Sequence, residues 1–321
     1  MSRIFNIAVL YGGPSSEHEV SLNTGKNIIQ SINKSKYSVF PVFISKDGGW
    51  FVKNQKVPAY VALRDVDAVF NAMHGEFGED GAIQSFLDTL GIAYTGSDKK
   101  ASMIGMDKAL TKHLCEKSGI KTARCVIAEK RKSLPKMPFS YPIVVKPNSG
   151  GSSVGVQIVN NDSQLKKALQ NAFKFDKRVI IEKFVKGKEI TIGILQNFKG
   201  RKFFALPITE IIPEEKYDFF DYDAKYRPGA AKEITPAEIS PSLALKAQRI
   251  AIDAFRTIGA RHYSRIDFII DKNEDVYLLE INTLPGMTST SLLPQQAKKA
   301  GLNLEKLTHH LIQLALNEEE L

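Results

Sequence analysis

The stretch SRIDFIIDKNEDVYLLEIN, residues 264–282, shows a clear pattern of paired strands. Apolar and polar residues alternate on either side of Lys272-Asn273, a pattern that predicts two antiparallel strands joined by a tight turn. Ile266, Phe268 and Ile270 share one face of the first strand, and we expect that face to be part of the core. The other face carries the polar residues.

Four polar side chains define that second face: Arg265 and Asp267 on the first strand, Glu280 and Asn282 on the second. A two-residue turn would place Arg265 opposite Glu280, and all four would project from one side of the sheet. Two carboxylates and an amide oxygen suit magnesium, which takes few protein carboxylates and completes its shell with waters and phosphates. The plainer alternative is a solvated face with a surface ion pair, but the apolar surroundings of both acids favour a metal site.

A second candidate site is KPNSGGSSVGV, residues 146–156, in which a predicted strand ends at Lys146 and a Gly-Ser loop follows. Glycines let backbone N–H groups approach a phosphate closely. The loop is not a Walker motif, because no Gly-Lys-Ser/Thr closes it. A plain turn remains the alternative, and the lysine at the strand end favours phosphate binding.

Three further positions are weaker candidates when considered alone. Glu182 and Glu189 flank IEKFVKGKE, where carboxylates could hold a nucleobase amine and ribose hydroxyls or could be surface acids. Glu17 follows a predicted buried strand at a helix start, where an acid often only balances the helix dipole. His74 ends a predicted strand at MHGEFGED, and a lone histidine is usually structural.

Length and composition limit the classes of protein to which this chain can belong. The chain has 321 residues with 43% hydrophobic content, enough for two or three domains. Its only two cysteines, Cys115 and Cys125, form no metal or disulfide pattern and predict reduced, buried thiols in a reducing, cytoplasmic compartment. We expect no signal peptide, no membrane span and no nucleic-acid partner, since the lysines behind the net charge of +9 are scattered.

The order of predicted elements indicates a mixed architecture. Strands and helices alternate up to about residue 100, which predicts a parallel α/β unit. A small α+β unit follows near 120–185, and later strands are expected to pair mainly antiparallel. The polar stretch 214–238 has no helical period and is predicted to be irregular and functional. The remaining predicted helices span residues 107–119, 242–258 and 303–317.

In combination, these motifs resemble the ATP-grasp superfamily and, within it, the D-alanine–D-alanine ligase family. The resemblance covers nearly the whole chain in order and rests on GGPSSEHEVSL, MHGEFGEDG, YTGS, MDK, VVKPNSGGSSVGV, IEKFVKGKE, DYDAKY, RIDF and LLEINTLPGMTSTSLLP. Each motif alone is weak, but their joint order is specific. One departure is Glu76-Phe77, where many members have small or basic residues.

The resemblance implies a three-domain ATP-grasp architecture, with α/β and α+β parts. Residues 1–105 would form an N-terminal parallel α/β substrate-binding domain, and 106–186 a central subdomain with the Gly-Ser lid loop. Residues 187–321 would form a C-terminal subdomain with the metal site and a flexible, substrate-covering segment at 214–238.

The resemblance also implies a nucleotide site between the last two domains. The residues expected to contact the phosphates are Lys108, Lys146 and Lys225, and those expected to form the lid are Gly150, Gly151, Ser152, Ser153 and Val154. Adenosine is expected to bind to Glu182, Lys183, Val185 and Glu189. Two Mg²⁺ (or Mn²⁺) ions are expected to bind to Asp267, Glu280 and Asn282.

For the amino acids, the resemblance implies a hydrogen-bonded set of Glu17, Ser152 and Tyr226, with Glu17 anchoring the first ammonium. His74 is implied to lie near the substrates. Arg265 and the Gly286 N–H are implied to form an oxyanion site, and Ser291 and Leu292 to bind the second carboxylate.

The implied activity is ADP-forming ligation of two D-alanine molecules through a D-alanyl phosphate, for peptidoglycan and cell-wall synthesis, by a cytoplasmic homodimer. Alternatives are a D-alanine–D-lactate ligase or another ATP-grasp carboxylate-amine ligase, and, from other classes, a regulatory nucleotide-binding module or a nucleic-acid-binding protein.

Overall fold

Three β-sheets follow one another along the chain. The computed structural model describes them through residues 3–151, 154–213 and 231–317. The first sheet has parallel strands with two short antiparallel strands at one edge, and the other two sheets are antiparallel. This arrangement agrees with the mixed α/β and α+β architecture predicted from the sequence.

The first sheet has six strands in the order β4-β3-β2-β1-β5-β6. They are β1 (Phe5–Gly12), β2 (Tyr37–Ile44), β3 (Trp50–Val52), β4 (Gln55–Val57), β5 (Ala68–Asn71) and β6 (Ala93–Tyr94). The helices in this part are α1 (His18–Ser31), α2 (Ala59–Ala62) and α3 (Ala82–Leu90). Strand β1 is buried and runs parallel to β2 and β5, as the alternation of strands and helices predicts. The hairpin β3–β4 is a feature that the sequence analysis missed.

The second sheet has four antiparallel strands in the order β7-β10-β8-β9. They are β7 (Cys125–Glu129), β8 (Ile143–Pro147), β9 (Gln157–Val159) and β10 (Arg178–Lys183), with helix α6 (Asp162–Ala172) packed on them. Helices α4 (Lys99–Met106) and α5 (Lys108–Lys117) precede this sheet. Asp107 begins α5 as predicted, and its carboxylate accepts a hydrogen bond from the Leu110 N–H at 2.9 Å.

The third sheet has the order β14-β13-β11-β15-β16, with β12 also paired to β11. Its strands are β11 (Gly187–Phe198), β12 (Arg201–Ala205), β13 (Thr209–Pro213), β14 (Ala231–Ile234), β15 (Tyr263–Asp271) and β16 (Val276–Asn282). Helix α7 (Pro241–Thr257) packs against it. The prediction of an irregular segment over 214–238 was wrong at its end, because residues 231–234 form β14 and pair with β13. Residues 214–230 lie outside the described part.

The hairpin β15–β16 corrects the predicted register. The Asp271 N–H donates to the Asp275 carbonyl at 3.0 Å, which leaves Lys272, Asn273 and Glu274 in the turn, one residue more than expected. Glu274 adopts a left-handed φ of 59°. A bulge shifts the register by a further residue between Asp267 and Phe268. Asp267 therefore lies opposite Glu280, and Arg265 lies opposite Asn282 instead of Glu280. Because the two shifts add up to two residues, the predicted faces are preserved.

Helix α8 (Leu292–Lys299) packs against β11 of the third sheet, and the C-terminal helix α9 (Leu304–Leu316) returns to β5 and β6 of the first sheet. Leu293, Leu307 and Leu311 share one buried cluster with Ile7 and Val9 of β1. Burial of apolar surface of this kind is the main favourable contribution to folding. Helix α8 was not predicted. In the described ranges, no helix is long and apolar enough to cross a membrane.

A second core cluster joins the third sheet to three helices. Ile104 of α4 and Cys115 of α5 pack with Ile192, Ile266 and other residues of that sheet and of α7. Residues on either side of the proposed boundary between the first and central domains thus share a core with the third sheet.

Candidate active site

A cavity of about 580 Å³ is lined by residues of all three sheets and their loops. The first part of the chain contributes Glu17, Gly75 and Glu76; the second contributes Lys108, Lys146, Gly150, Gly151, Val154, Glu182, Lys183 and Val185; and the third contributes Glu189, Asp267 and Glu280. Each residue predicted to hold phosphates or adenosine, or to form the lid, therefore lies on this lining wherever the structure describes it.

Three charged side chains are buried together beside the cavity. Lys146 Nζ lies 2.9 Å from Glu182 Oε1, and Lys112 Nζ lies 3.4 Å from the same oxygen. The Lys112 and Glu182 side chains are only 1% and 3% exposed. Burial by itself disfavours every one of these charges, but the two ammonium groups hold the pKa of Glu182 below its usual value. We call this set the buried lysine pair with Glu182.

The two lysines of this pair respond differently to their surroundings. Burial lowers the pKa of Lys112 and outweighs the attraction of Glu182. Burial also acts against the charge of Lys146, but there the Glu182 carboxylate prevails and raises the pKa. Lys146 is therefore held as a cation at the cavity wall.

Lys108 connects the glycine loop to the third sheet. It is the first residue of α5, its Nζ donates to the Gly150 carbonyl at 2.5 Å, and the same nitrogen lies 3.6 Å from Glu280 Oε2. The loop after β8 is fixed to the same helix start, because the Asn148 side-chain oxygen accepts from the Ala109 N–H at 3.0 Å. The geometry holds one cation between the glycine loop and the candidate metal face.

The face shared by β15 and β16 carries the four polar residues expected there. Arg265 donates two hydrogen bonds to Asp267, from Nε to Oδ1 at 2.9 Å and from a terminal nitrogen to Oδ2 at 2.7 Å. The Thr191 hydroxyl of β11 also donates to Asp267 Oδ1, at 2.5 Å. Asn282 Oδ1 accepts from the Leu284 N–H at 2.9 Å, which leaves one lone pair of that oxygen.

This donor set fits magnesium. Asp267 and Glu280 are direct cross-strand neighbours on one face, and the amide oxygen of Asn282 follows on that face. No group of three or more His, Cys, Asp or Glu side chains that could hold a metal occurs in the described ranges. A magnesium ion here would need further oxygen ligands, and nucleotide phosphates supply them.

The glycine loop approaches Glu17, the N-cap residue of α1. Gly150 has a left-handed φ of 96°, which favours glycine. A Cβ on Gly151 would lie 3.2 Å from Glu17 Oε2, and one on Gly75 would lie 3.0 Å from the same oxygen. Two backbones therefore come close to this carboxylate. Ser152, Ser153, Lys225 and Tyr226, which were predicted to complete the phosphate and substrate sites, lie outside the described residues.

His74 is buried next to the cavity but is not part of its lining. Its Nε2 lies 2.9 Å from the Thr24 hydroxyl and its Nδ1 lies 3.3 Å from Glu79 Oε1. Burial raises the pKa of Glu79, against the hydrogen bond with His74. Glu76-Phe77, the pair that departs from the family pattern, follows shortly after His74. Glu76 lines the cavity, and the Phe77 side chain packs against the core of the first sheet.

Gly286, Ser291 and Leu292, which were predicted at the oxyanion and the second carboxylate, are close to one another and lie outside the cavity lining, as does Arg265. A Cβ on Gly286 would lie 2.8 Å from Ser291 Oγ, so the two are in direct contact. Ser291 precedes α8, and its hydroxyl accepts from the Thr288 N–H at 3.0 Å. Leu292 begins that helix.

Sequence reasoning missed two residues of this region, Lys112 and Thr191. The buried face of α5 is formed by Lys108, Thr111, Lys112 and Cys115, at the spacing of one helix stripe. A lysine inside such a stripe is a signal for a buried charge. Thr191 lies within an otherwise apolar strand, and its partner Asp267 is 76 residues away, so the sequence carries no equivalent signal.

Both cysteines are free thiols, but the expectation that both are buried holds only for Cys115. Cys115 is buried and Cys125 is half-buried, and they form no disulfide. Burial raises the pKa of the Cys115 thiol to about 12 and also raises that of Cys125. The thiolate is the nucleophile in cysteine chemistry, so these side chains are poor candidates for a catalytic role.

Comparison with known proteins identifies the family. Residues 114–313 match the description "D-ala D-ala ligase C-terminus", and residues 6–61 and 57–97 match "D-ala D-ala ligase N-terminus". A D-alanine–D-alanine ligase of Leptospira interrogans is 40% identical to this chain, over 97% of this chain and 98% of the relative.

Solved structures agree with the sequence matches. The D-alanine–D-alanine ligase from Bacillus anthracis complexed with ATP has a TM-score of 0.83 and 33% identity, over 98% of this chain and 99% of that chain. The VanG D-Ala:D-Ser ligase from Enterococcus faecalis has a TM-score of 0.83 and 26% identity, over 98% of this chain and 100% of that chain. With its cavity at the junction of three sheets and these matches over nearly its full length, this chain belongs to the D-alanine–D-alanine ligase family and has its ATP-grasp fold.

Proposed function

We propose that this chain uses ATP to join two D-alanine molecules into D-alanyl-D-alanine, for peptidoglycan synthesis. One observation carries the proposal: a single cavity brings Glu17, an acid suited to an amino acid's ammonium group, to the same space as Lys108 and Lys146. The same cavity carries Asp267 and Glu280 on its third wall. An amino acid and a nucleoside triphosphate can therefore meet there.

The first step activates a carboxylate, which is a poor acyl donor. A carboxylate oxygen of the first D-alanine attacks the γ-phosphorus of ATP, the bond from that phosphorus to the bridging oxygen breaks, and ADP leaves. Lys108 and Lys146 place positive charge beside the transferring group. Asp267, Glu280 and Asn282 would hold magnesium, which neutralises phosphate charge when bound.

The second step forms the peptide bond. The amine of the second D-alanine attacks the carbonyl carbon of the acyl phosphate, inorganic phosphate leaves and the amine releases a proton. Arg265 and the Gly286 N–H are proposed to donate to the oxygen that gains negative charge. Each such donor typically contributes about 3 kcal/mol to the transition state.

Water must be excluded between the two steps, because it would hydrolyse the acyl phosphate. The glycine loop lies over the cavity, with Gly150 tied to Lys108 and Gly151 beside Glu17. We propose that this loop forms one side of the closed site. The segment 214–230, including Lys225 and Tyr226, is proposed to cover the other side.

The test measures phosphate release from ATP in the presence of magnesium and D-alanine, and identifies the product by mass spectrometry. D-lactate, D-serine and L-alanine serve as competing second substrates. Phosphate release coupled to a D-alanyl-D-alanine mass supports the proposal. A preferred ester or a D-alanyl-D-serine product would assign the chain to a different acceptor specificity, and no D-alanine-dependent release from folded protein would contradict it.

The second substrate is proposed to be selected in part by Tyr226. In the family that this chain resembles, dipeptide-forming and ester-forming ligases differ in the segment that contains Tyr226. We expect Tyr226→Phe to increase the share of D-alanyl-D-lactate when both acceptors are present. An unchanged product ratio would remove Tyr226 from this role. A homodimer, a cytoplasmic location and the absence of nucleic-acid binding also stay predictions.

A further inference from the structure

Among the described residues, one fully buried lysine has no part in the proposed steps. Lys112 is 1% exposed, lies on α5 and is not part of the cavity lining. Its ammonium nitrogen lies 3.4 Å from Glu182 Oε1 and donates to the Leu278 carbonyl of β16 at 3.3 Å. An ammonium group is costly to bury, so a lysine at this depth needs a compensating partner.

The buried lysine pair with Glu182 has two basic side chains and only one acidic side chain. Lys112 and Lys146 are two cations that share one carboxylate oxygen, Glu182 Oε1. Lys146 and Glu182 both reach the cavity, whereas Lys112 stays behind them. Lys146 is the closer partner of Glu182, but Lys112 supplies a second positive charge, so Lys146 can exchange Glu182 for a phosphate while Lys112 continues to neutralise the carboxylate. The group then presents one unneutralised positive charge toward the cavity.

We propose that Lys112 is a positioning residue of the nucleotide site, which neutralises Glu182 and thereby leaves Lys146 to bind the phosphates of ATP. The inference rests on the proposed function only in taking the cavity as the ATP site. Lys112 does not touch the nucleotide in this arrangement. It acts through Glu182, whose carboxylate remains ionised and available to accept from an exocyclic amine of the base.

Loss of Lys112 should affect binding of the nucleotide's phosphates but not binding of its adenosine part. Lys112→Met removes the rear cation and leaves Glu182 with Lys146 as an exclusive ion pair. ADP, with its phosphates, should bind about tenfold more weakly to this variant, the size expected for a charge-assisted hydrogen bond. Adenosine, which has no phosphates, should bind with its affinity nearly unchanged. Calorimetry with ADP-magnesium and with adenosine measures both.

Lys117→Met is the matched control, because Lys117 lies on the same helix and is exposed. It should bind both ligands as the unmodified protein does. Lys112→Gln removes the charge but keeps a donor for the Leu278 carbonyl. It carries the same expectation should the methionine variant fail to fold.

A double-mutant cycle tests whether Lys112 acts through Glu182. In a Glu182→Gln background there is no carboxylate to hold Lys146, so Lys112→Met should weaken ADP binding much less than in the native background. An equal loss in both backgrounds would overturn the inference. So would an equal loss of ADP and adenosine binding, or unchanged ADP binding by a folded variant. Because no amino acid is present, these outcomes are independent of the proposed D-alanine specificity.

Discussion

The hairpin β15–β16 and the buried lysine pair with Glu182 arrange charge in different ways. In the hairpin, strand alternation puts Arg265, Asp267 and Glu280 on one face within a short stretch of chain. The buried pair is assembled from α5, β8 and β10, and its members are brought together only by packing. The first arrangement depends on register, whereas the second depends on the depth at which opposite charges are enclosed.

The largest effect should come from the hairpin face. Arg265→Ala removes the proposed oxyanion donor and both of its hydrogen bonds to Asp267, so kcat should fall about a hundredfold or more. ADP affinity should change far less, because the charge that Arg265 stabilises forms only during the reaction. Steady-state kinetics and ADP calorimetry measure the two quantities.

Lys272→Ala is a suitable control for that experiment, because Lys272 is exposed at the tip of the same hairpin. It should leave kcat unchanged. An unchanged kcat in Arg265→Ala would contradict the assignment of this face to catalysis and would leave it as a structural ion pair.

A smaller effect is expected from the hydroxyl behind the face. Thr191→Val is nearly isosteric and removes the donor to Asp267 Oδ1. Partners that orient a metal ligand typically contribute about tenfold or more in metal affinity. The magnesium concentration at half-maximal activity should therefore rise by about tenfold, as read from a magnesium titration of turnover.

Thr209→Val provides the comparison, since Thr209 is equally buried and hydrogen-bonds to Gln296 and Thr235 instead of Asp267. It should lower the free energy of unfolding without moving the magnesium titration. Equal shifts in the two valine variants would argue that Thr191 matters only for stability.

The smallest effect is expected from the residue that caps α5, the helix that contributes Lys112 to the buried lysine pair with Glu182. Asp107→Ala removes the side-chain cap of α5, the helix that carries Lys108 and Lys112, and should lower the free energy of unfolding by about 1 kcal/mol. Asp98→Ala removes the equivalent cap of α4, where Asp98 accepts from the Ala101 N–H at 2.8 Å. Denaturant unfolding should show similar losses, but only Asp107→Ala should weaken ADP binding. Equal ADP affinities in the two variants would show that the cap does not influence the lysines.

The same contrast explains what the sequence could predict. Alternation placed Arg265, Asp267, Glu280 and Asn282 on one face, and a buried first strand and the antiparallel later strands followed from similar patterns. The cross-strand partners were wrong, because a left-handed residue at Glu274 and a bulge beyond Asp267 depend on local backbone geometry. The faces survived because the two errors together equal a full strand period.

The pairing of residues that are brought together only by packing could not be predicted from the sequence. Lys112 differs from its exposed neighbour Lys117 only in which side of α5 it occupies, and no periodicity reveals which carboxylate it will meet. Glu182 and Lys146 were recognised as candidates through neighbouring motifs and family resemblance, but their direct pairing was not predicted. The short strands β3, β4 and β14 were also missed, since strands of three or four residues show too few alternations to detect.

The return of helix α9 to the first sheet has a consequence for synthesis of the chain. Ile7 and Val9 emerge from the ribosome at the start of translation, but Leu307 and Leu311, which belong to the same buried cluster, emerge at its end. At roughly 5–20 residues per second, that delay is on the order of tens of seconds. Helix α1 can cover part of this face of the first sheet early, because Ile28 and Ile32 belong to the same cluster, but the part that packs against α9 stays exposed while the rest of the protein is made. A chaperone that binds apolar surface would find its target there.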